Sequence, residues 1–377
     1  MLALQQQTNW GAPMNPTLSR RRLSAPCSCC GPADVSRRDF LAGGGAVMGM
    51  GAVTAAGFRA SPAAAQAANP RRIDVHHHLA PPKWIADVVV ARKTGQRPLA
   101  NWTPAKAIED MDRGGVASSV TSISEPGVWF GDNETARKLA RECNEYAAKL
   151  ASDHPGRFGM FATLPMPDLD GSMREVAYAL DVLKADGICL LTSYQSRYLG
   201  DPAFAPLMDE LNRRKAVVYT HPVRPDCCRN LVADVAEPVV ELPADTTRTI
   251  LSVVFSGTAT RCPDIRFVWS HAGGTVPFLI NRIGRYAAGR KELATRYPKG
   301  AMHELQKFFY DTASAAYPST LAPLMQLVSS SQVVFGTDFP FGSSAATAKG
   351  LADFGLSESD LRAIGRDNAA KLFPRLT

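Results

Sequence analysis

Short apolar runs alternate with longer amphipathic segments from residue 73 to the end of the chain. Eight of these runs are rich in Val, Ile, Leu and Phe and end at a polar residue, a glycine or a proline, which is typical of buried strands. The predicted strands are Ile73–His78, Val116–Ile123, Phe158–Leu164, Gly187–Leu191, Val217–Thr220, Phe267–Ser270, Phe308–Thr312 and Val333–Thr337.

Helical spacing of apolar residues predicts helices between these strands. The clearest is Glu134–Ser152, where Ala136, Leu139, Cys143 and Leu150 share one face. The other predicted helices are Lys83–Arg92, Pro104–Met111, Asp170 or Ser172 to Leu183, Ala203–Arg214, Asp245–Gly257, Val276–Ala287, Leu321–Val328 and Ser357–Leu372. Residues 222–244 are rich in proline and predict a long functional loop.

Eight strands alternating with helices over roughly 300 residues predict an α/β fold, a single (β/α)8 TIM barrel. A doubly wound open sheet is the alternative. It explains less well why polar, metal-binding side chains end the first, fifth, sixth and eighth strands, since these ends converge only in a closed sheet.

Those strand ends carry four histidines and a carboxylate. His76 and His78 lie two residues apart on the first strand and therefore face the same way. His221 and His271 end the fifth and sixth strands, and Asp338 follows the eighth. Neutral imidazole is a common protein ligand for divalent ions, so the pattern indicates a metal site.

The remaining histidines have structural interpretations. His77 faces away from the ligand pair and is expected in the core or behind a ligand. His154 lies in a helix-to-strand turn, and His303 lies in a helical segment at the surface. Asp74 and Asp311 lie near strand ends and are candidates to orient a ligand through a hydrogen bond.

The first 65 residues resemble a twin-arginine export signal. Ser36-Arg37-Arg38-Asp39-Phe40-Leu41 precedes a weakly apolar, glycine-rich run from 42 to 58, and Ala63-Ala64-Ala65 offers small residues for cleavage. A transmembrane anchor is the alternative, but the run is short for a bilayer. The sequence therefore predicts a signal over 1–65, a barrel domain over 66–377, recognition by the twin-arginine translocation machinery and a periplasmic location.

Charge and cysteines exclude several classes of protein. The net charge is +7, and residues 1–65 contribute six Arg and two Asp, or +4, which leaves +3 for the barrel. That charge is too small to indicate nucleic acid or an anionic membrane surface as a partner. Eight cysteines form no disulfide framework or zinc-ribbon spacing, Cys143 and Cys189 are expected in the core, and adjacent Cys227 and Cys228 are expected to stay unpaired with no assigned role.

Several motifs together resemble the amidohydrolase superfamily over residues 72–374. They are Asp-x-His-x-His on the first strand, His221-Pro222, Ser270-His-Ala-Gly-Gly-Thr-Val-Pro-Phe278 and Phe335-Gly-Thr-Asp-Phe-Pro-Phe341. Within the superfamily, His154-Pro-Gly-Arg-Phe158 and Thr163-Leu-Pro-Met-Pro-Asp168 resemble the metal-dependent decarboxylases of aminocarboxymuconate semialdehyde, γ-resorcylate and 6-methylsalicylate. Ala179–Gly187 and Tyr198–Pro202 are most similar to the last type.

This resemblance implies one divalent ion on His76, His78, His221 and Asp338, with His271 beside it. Zn²⁺ is the expected ion and Mn²⁺ the alternative. A second ion is not expected, because the fourth strand, Gly187–Leu191, offers neither a lysine nor a glutamate to bridge two metals. Assembly as a homodimer is also expected.

The resemblance favours non-oxidative decarboxylation of an ortho-hydroxy aromatic acid, such as 6-methylsalicylate. Asp338 would then protonate the ring carbon, and His271 would handle a second proton. The same ligands could serve hydrolysis of a lactone or amide, and a non-enzymatic exported metal-binding protein is a third alternative. The residues Trp129, Phe130, Tyr194 and Phe341 are candidate walls of an aromatic pocket, and Arg224 and Arg229 could steer a carboxylate.

Overall fold

The computed structural model describes residues 70–94 and 96–377. Eight parallel strands in these ranges pair in the order in which they occur along the chain. They are β1 (Arg72–His78), β2 (Val116–Ser122), β3 (Phe158–Thr163), β4 (Gly187–Leu191), β5 (Val217–His221), β6 (Arg266–Trp269), β7 (Phe309–Asp311) and β8 (Val333–Val334).

The sheet closes between β1 and the segment that follows β8. Val75 N donates to the Phe335 carbonyl at 2.9 Å, Asp338 N to the His76 carbonyl at 2.8 Å, and His78 N to the Phe339 carbonyl at 2.9 Å. The predicted (β/α)8 barrel is therefore confirmed. β8 itself is only two residues long, shorter than Val333–Thr337, because the backbone leaves ladder geometry on its way to Asp338.

Helices of nine or more residues surround the described barrel. They are α1 (Pro104–Arg113), α2 (Asn133–Asp153), α3 (Leu169–Ala177), α4 (Ala205–Arg213), α5 (Glu241–Phe255), α6 (Val276–Ala288), α7 (Pro318–Leu327) and α8 (Ser344–Asp353). Shorter helical segments are Pro82–Trp84, Ile85–Val90, Arg97–Ala100, Tyr178–Val182, Pro202–Phe204, Asp226–Cys228, Glu237–Val239, Thr258–Arg261, His271–Gly273, Lys291–Arg296, Ala301–Gln306, Ser330–Gln332, Glu358–Arg362, Ala363–Asp367, Asn368–Leu372 and Pro374–Leu376.

Two predicted helices differ from the structure, and one helix was not predicted. α5 begins at Glu241 and not at Asp245, so the long loop is shorter than residues 222–244. The predicted helix Ser357–Leu372 contains a π-helical turn at Ala363–Asp367. α8 was not predicted, because its small residues give no clear apolar stripe, although Ser343 caps it by accepting from Ala346 N at 3.3 Å.

Apolar side chains from several strands form a core with the C-terminal residues. Phe161 stacks on Tyr219 with 5.0 Å between ring centroids, and the Phe373 ring contacts Phe161 edge-on at 5.6 Å. Tyr219 also lies 5.2 Å from the His76 ring, so this core supports the histidines from below.

The predicted export signal, residues 1–65, lies outside the described residues. Among the helices that are described, none has the length and apolar character needed to cross a membrane.

Candidate metal centre

Asp74 ties β1 to the end of β8 from a fully buried position. One carboxylate oxygen accepts from His76 N at 3.0 Å and from Thr337 N at 3.1 Å. The other accepts from His77 Nδ1 at 3.0 Å and from the Thr337 hydroxyl at 2.6 Å. Asp74 therefore orients the ligand strand through its backbone, and His77 packs behind it, stacked on Phe339 at 4.7 Å.

Four buried side chains converge where these strands meet. One nitrogen or oxygen from each of His76, His78, His221 and Asp338 lies within 4.8 Å of the others. These side chains come from the carboxyl ends of β1 and β5 and from Asp338, in the segment that follows β8. The closed barrel brings these ends together. The structure thus brings together all four predicted ligands.

His76 is held by a carboxylate on its far side. Its Nδ1 donates to Asp311 Oδ2 at 2.7 Å, and both side chains are fully buried. Its Nε2 lies 3.2 Å from Asp338 Oδ1 but has no partner with hydrogen-bond geometry. A carboxylate that fixes the tautomer of a histidine from behind is the usual support for a metal ligand.

The other two imidazoles also offer nitrogens to the cluster. His221 Nδ1 donates to the Pro222 carbonyl at 2.8 Å, which leaves Nε2 as the free nitrogen. His78 Nε2 lies 3.1 Å from Asp338 Oδ1.

Asp338 adopts a left-handed backbone conformation with φ of 65°, which is uncommon for a residue other than glycine. Its Oδ1 lies near His76 and His78, and its Oδ2 accepts from the Ser314 hydroxyl at 3.1 Å. One oxygen thus faces the imidazoles while the other is held by a neutral donor.

Two carboxylates favour a positive charge at His76. Burial lowers the pKa of His76, but the carboxylates of Asp311 and Asp338 outweigh it and raise the pKa to about 10. Burial lowers the pKa of His78, and burial together with the neighbouring imidazoles holds the pKa of His221 well below its usual value.

The residues fit a divalent ion. Burial raises the pKa of Asp338, but His76 and His78 outweigh it and hold the pKa well below its usual range. The cluster therefore combines a carboxylate that favours the ionised form, two imidazoles whose lowered pKa favours the neutral form, and a buried His76 Nε2 without a hydrogen-bond partner. A bound ion would replace the proton that the raised pKa keeps on His76, and three neutral imidazoles with one carboxylate are a donor set that zinc and similar ions take.

His271 lies beside this cluster and not within it. Its ring centroid is 4.8 Å from that of His76 and 6.0 Å from that of His221. His271 Nδ1 donates to the Ala313 carbonyl at 3.0 Å, and its backbone N–H donates to Asp311 Oδ1 at 2.8 Å. Asp311 consequently holds both His76 and the backbone of His271, and Nε2 of His271 stays free.

Two glycines shape the turn that carries His271. Gly273 and Gly274 have φ of 75° and 64°. An added Cβ would lie 2.7 Å from the Tyr310 ring at Gly273 and 2.2 Å from the Pro243 carbonyl at Gly274. Only glycine fits both the conformation and the space.

The amidohydrolase family matches residues 73–375. This chain belongs to the amidohydrolase family.

Similar proteins of this family are decarboxylases. The chain is 36% identical over 326 residues to decarboxylase yanB of Aspergillus niger, covering 81% of this chain and 88% of that protein. It is 34% identical over 320 residues to 6-methylsalicylic acid decarboxylase of Penicillium expansum, covering 81% and 97%. A solved structure of an amidohydrolase II superposes with a TM-score of 0.74 at 27% identity, covering 80% of this chain and 99% of that one. The predicted resemblance to the decarboxylase branch is confirmed.

A cavity of about 430 Å³ lies at the same end of this amidohydrolase barrel. Its walls come from the segments after β2, β3, β4 and β5, and they include Trp129, Tyr194, Tyr198, Val223 and Arg224. Val223 lies two residues beyond His221, so one wall of the cavity continues from a predicted ligand.

The candidate aromatic walls have different locations. Trp129 and Tyr194 line the cavity. Phe130 packs against the Arg92 guanidinium at 4.1 Å, and the Phe341 ring lies 5.8 Å from that of His78.

Both candidate arginines line the cavity as well. Arg224 Nε lies 2.9 Å from the buried Glu125 carboxylate, and Arg229 lies 3.0 Å from Asp226. Each is therefore already paired with a carboxylate from this chain.

The cysteines require one correction. Cys227 and Cys228 form a disulfide between neighbouring residues, so the expectation that they stay unpaired was wrong. Neighbouring cysteines rarely bond each other, and residue spacing does not predict the 3₁₀ turn at Asp226–Cys228 in which this pair lies. Cys143 and Cys189 are buried and free, as predicted.

Two residues that no motif indicated adjoin the site. Thr192 and Asp245 are fully buried and hydrogen-bonded to each other beside His221. They are 53 residues apart in the chain, and neither belongs to a recognisable motif.

Proposed function

We propose that this protein is a metal-dependent, non-oxidative decarboxylase of an ortho-hydroxy aromatic acid, with 6-methylsalicylate as the first candidate substrate. One observation carries the proposal. A buried cluster of three histidines and one aspartate adjoins a cavity partly lined by aromatic residues, in a chain 34% identical to a 6-methylsalicylic acid decarboxylase. The decarboxylase relatives favour this reaction over hydrolysis of a lactone or amide.

His76, His78, His221 and Asp338 would hold the ion. When bound, a divalent ion would orient the substrate carboxylate and its neighbouring hydroxyl and stabilise negative charge.

Asp338 is the group placed to move a proton to the ring. The pKa of Asp338 is held low, so its carboxylate is ionised before substrate binds and has to take up a proton before it can donate one. The phenolic hydroxyl beside the carboxylate can supply it. Asp338 then gives this proton to the ring carbon, the bond from that carbon to the carboxylate breaks, and carbon dioxide leaves.

His271 is placed to stabilise charge at the substrate oxygen. Because its Nδ1 donates to the Ala313 carbonyl, a second proton taken from solvent onto Nε2 would make it a cation that donates to the phenolate and then protonates it to the phenol product.

The purified protein, supplied with Zn²⁺ or Mn²⁺, should convert 6-methylsalicylate to 3-methylphenol and carbon dioxide. In D₂O the product should carry deuterium at the carbon that lost the carboxylate. The matched control is the 2-methoxy analogue, which lacks the acidic hydroxyl and should not react. Hydrolysis of an aromatic lactone with no release of carbon dioxide from any hydroxy acid would overturn the proposal.

We expect one divalent ion per chain, with zinc as the first candidate and manganese as the alternative. His76→Ala and His221→Ala should each remove most of it, because each deletes one of four donors. Elemental analysis of the purified proteins measures this, and His303→Ala, on a separate helical segment, is the matched control. Two ions in the parent protein, or full metal content in both variants, would contradict the ligand assignment.

We further propose that residues near 1–65 direct export through the twin-arginine route and are then removed from the mature enzyme, on the basis of Arg37, Arg38 and the apolar run that follows. Replacing both arginines by lysine should hold the full-length chain in the cytoplasm, because the charge remains while the recognised pair is lost. Cell fractionation and the mass of the purified chain measure the outcome. An unchanged location would show that the segment has another role.

A further inference from the structure

We propose that Asp245 is a positioning residue that holds the metal ligand His221 through Thr192 and one wall of the cavity through Tyr198. The inference deepens the proposed function, since it rests on the same metal centre. Asp245 lies in the first turns of α5, outside the four-ligand cluster, and is fully buried.

The carboxylate of Asp245 accepts from two hydroxyl groups on the segment after β4. Its Oδ2 accepts from Thr192 Oγ1, and its Oδ1 accepts from Tyr198 OH at 2.8 Å. The nearest described cation is Arg248, whose Nη1 lies 3.9 Å from Oδ1, beyond hydrogen-bond distance. The two hydroxyl hydrogen bonds therefore hold a buried charge, which makes them stronger than bonds between neutral groups.

Thr192 connects Asp245 to the end of β5, the strand that carries His221. Its backbone N–H donates to the His221 carbonyl at 3.0 Å, and its hydroxyl oxygen accepts from Val223 N at 3.1 Å. The hydroxyl has one proton, and that proton goes to Asp245. Thr192 thus holds the backbone on both sides of Pro222, whose carbonyl in turn accepts from His221 Nδ1.

Tyr198 connects Asp245 to the wall of the cavity. It belongs to a short antiparallel hairpin, in which Ser193–Tyr194 pairs with Arg197–Tyr198. Tyr194, Tyr198 and Val223 all line the cavity. One carboxylate on α5 therefore fixes a ligand through one hydroxyl and a cavity wall through the other.

The hydrogen bonds from Thr192 and from Tyr198 to Asp245 predict different defects, one in metal binding and one in substrate binding. Asp245→Asn keeps the shape but removes the charge, and Thr192→Val removes the hydroxyl that bridges to Val223. Each should weaken metal binding by about tenfold or more, as changes to groups that orient metal ligands commonly do. Tyr198→Phe should leave metal affinity unchanged and raise KM, because it removes only the contact to the cavity wall.

Asp186 provides a matched control. Its side chain is 5% exposed, and it precedes β4, at the opposite end of the strand that leads to Thr192. It accepts from Met160 N at 2.8 Å and pairs with Arg375. Asp186→Asn also removes a largely buried charge and should leave metal affinity unchanged.

The experiment is a chelator-competition titration of each full-length protein with Zn²⁺, without substrate, followed by kcat and KM with the hydroxy acid. The double variant Asp245→Asn with Thr192→Val should bind zinc no more weakly than Thr192→Val alone, since both act through one path. If Asp245→Asn does not fold, Thr192→Val and Tyr198→Phe carry the same comparison.

Equal zinc affinity in Thr192→Val and the parent protein would overturn the proposal, as would equal weakening in Asp186→Asn or Tyr198→Phe. The zinc measurement does not depend on which acid is the substrate. Failure to turn over any hydroxy acid would therefore refute the proposed function and leave the positioning role standing or falling on metal affinity alone.

Discussion

Asp338→Asn should lower kcat for the hydroxy acid by about 10²–10⁴-fold while one divalent ion stays bound at saturating metal concentration. The amide keeps an oxygen toward the cluster, so His76, His78 and His221 can still hold the ion. It cannot take the phenolic proton and deliver it to the ring carbon. Steady-state kinetics together with elemental analysis at saturating metal measure both effects.

Asp311→Asn is the informative companion to this variant. Asp311 supports His76 Nδ1 from behind and does not belong to the four-ligand group. Asp311→Asn should weaken metal binding, and added metal should restore its activity. No metal concentration should restore the activity of Asp338→Asn. Recovery of Asp338→Asn by added metal would remove its role in proton transfer and leave it a ligand only.

His271→Ala should retain the metal and reduce turnover by about 10² or more. The imidazole lies outside the ligand group, and its Nε2 is free to bind a substrate oxygen. His154→Ala is a suitable control, because His154 caps the carboxyl end of α2 and its ring contacts Phe158 at 5.7 Å.

Metal content and kcat of both histidine variants separate the interpretations. Loss of metal in His271→Ala would make His271 a ligand. Normal turnover would make it a packing residue and remove the second proton-handling group from the reaction.

Strand periodicity explains why much of the candidate centre could be predicted. Two-residue spacing places His76 and His78 on one side of β1, and a parallel barrel gathers the strand ends that carry His221, His271 and Asp338. The family resemblance then separates the four expected ligands from His271. The barrel geometry also gives the order of the eight strands. What it could not give is the hydrogen bond from Thr192 to Asp245, because that contact depends on how α5 packs against the end of β4.

Packing and a local turn also explain why one helix and one disulfide were not predicted. α8 consists largely of small residues, and its place is fixed by packing: the buried Asp110 carboxylate accepts from Ser344 N at 2.9 Å. The disulfide between Cys227 and Cys228 lies in a local turn that residue spacing does not predict.

The candidate metal centre brings together residues from the beginning and the end of the barrel sequence, since His78 and Asp338 are 260 residues apart. A ribosome must therefore release nearly the whole domain before the last donor can reach the first, and long-range contacts of this kind form late in folding. All four candidate ligands therefore come together only when the barrel has closed. A chain truncated before β8 would retain three of the four donors and lack the segment that seals the sheet.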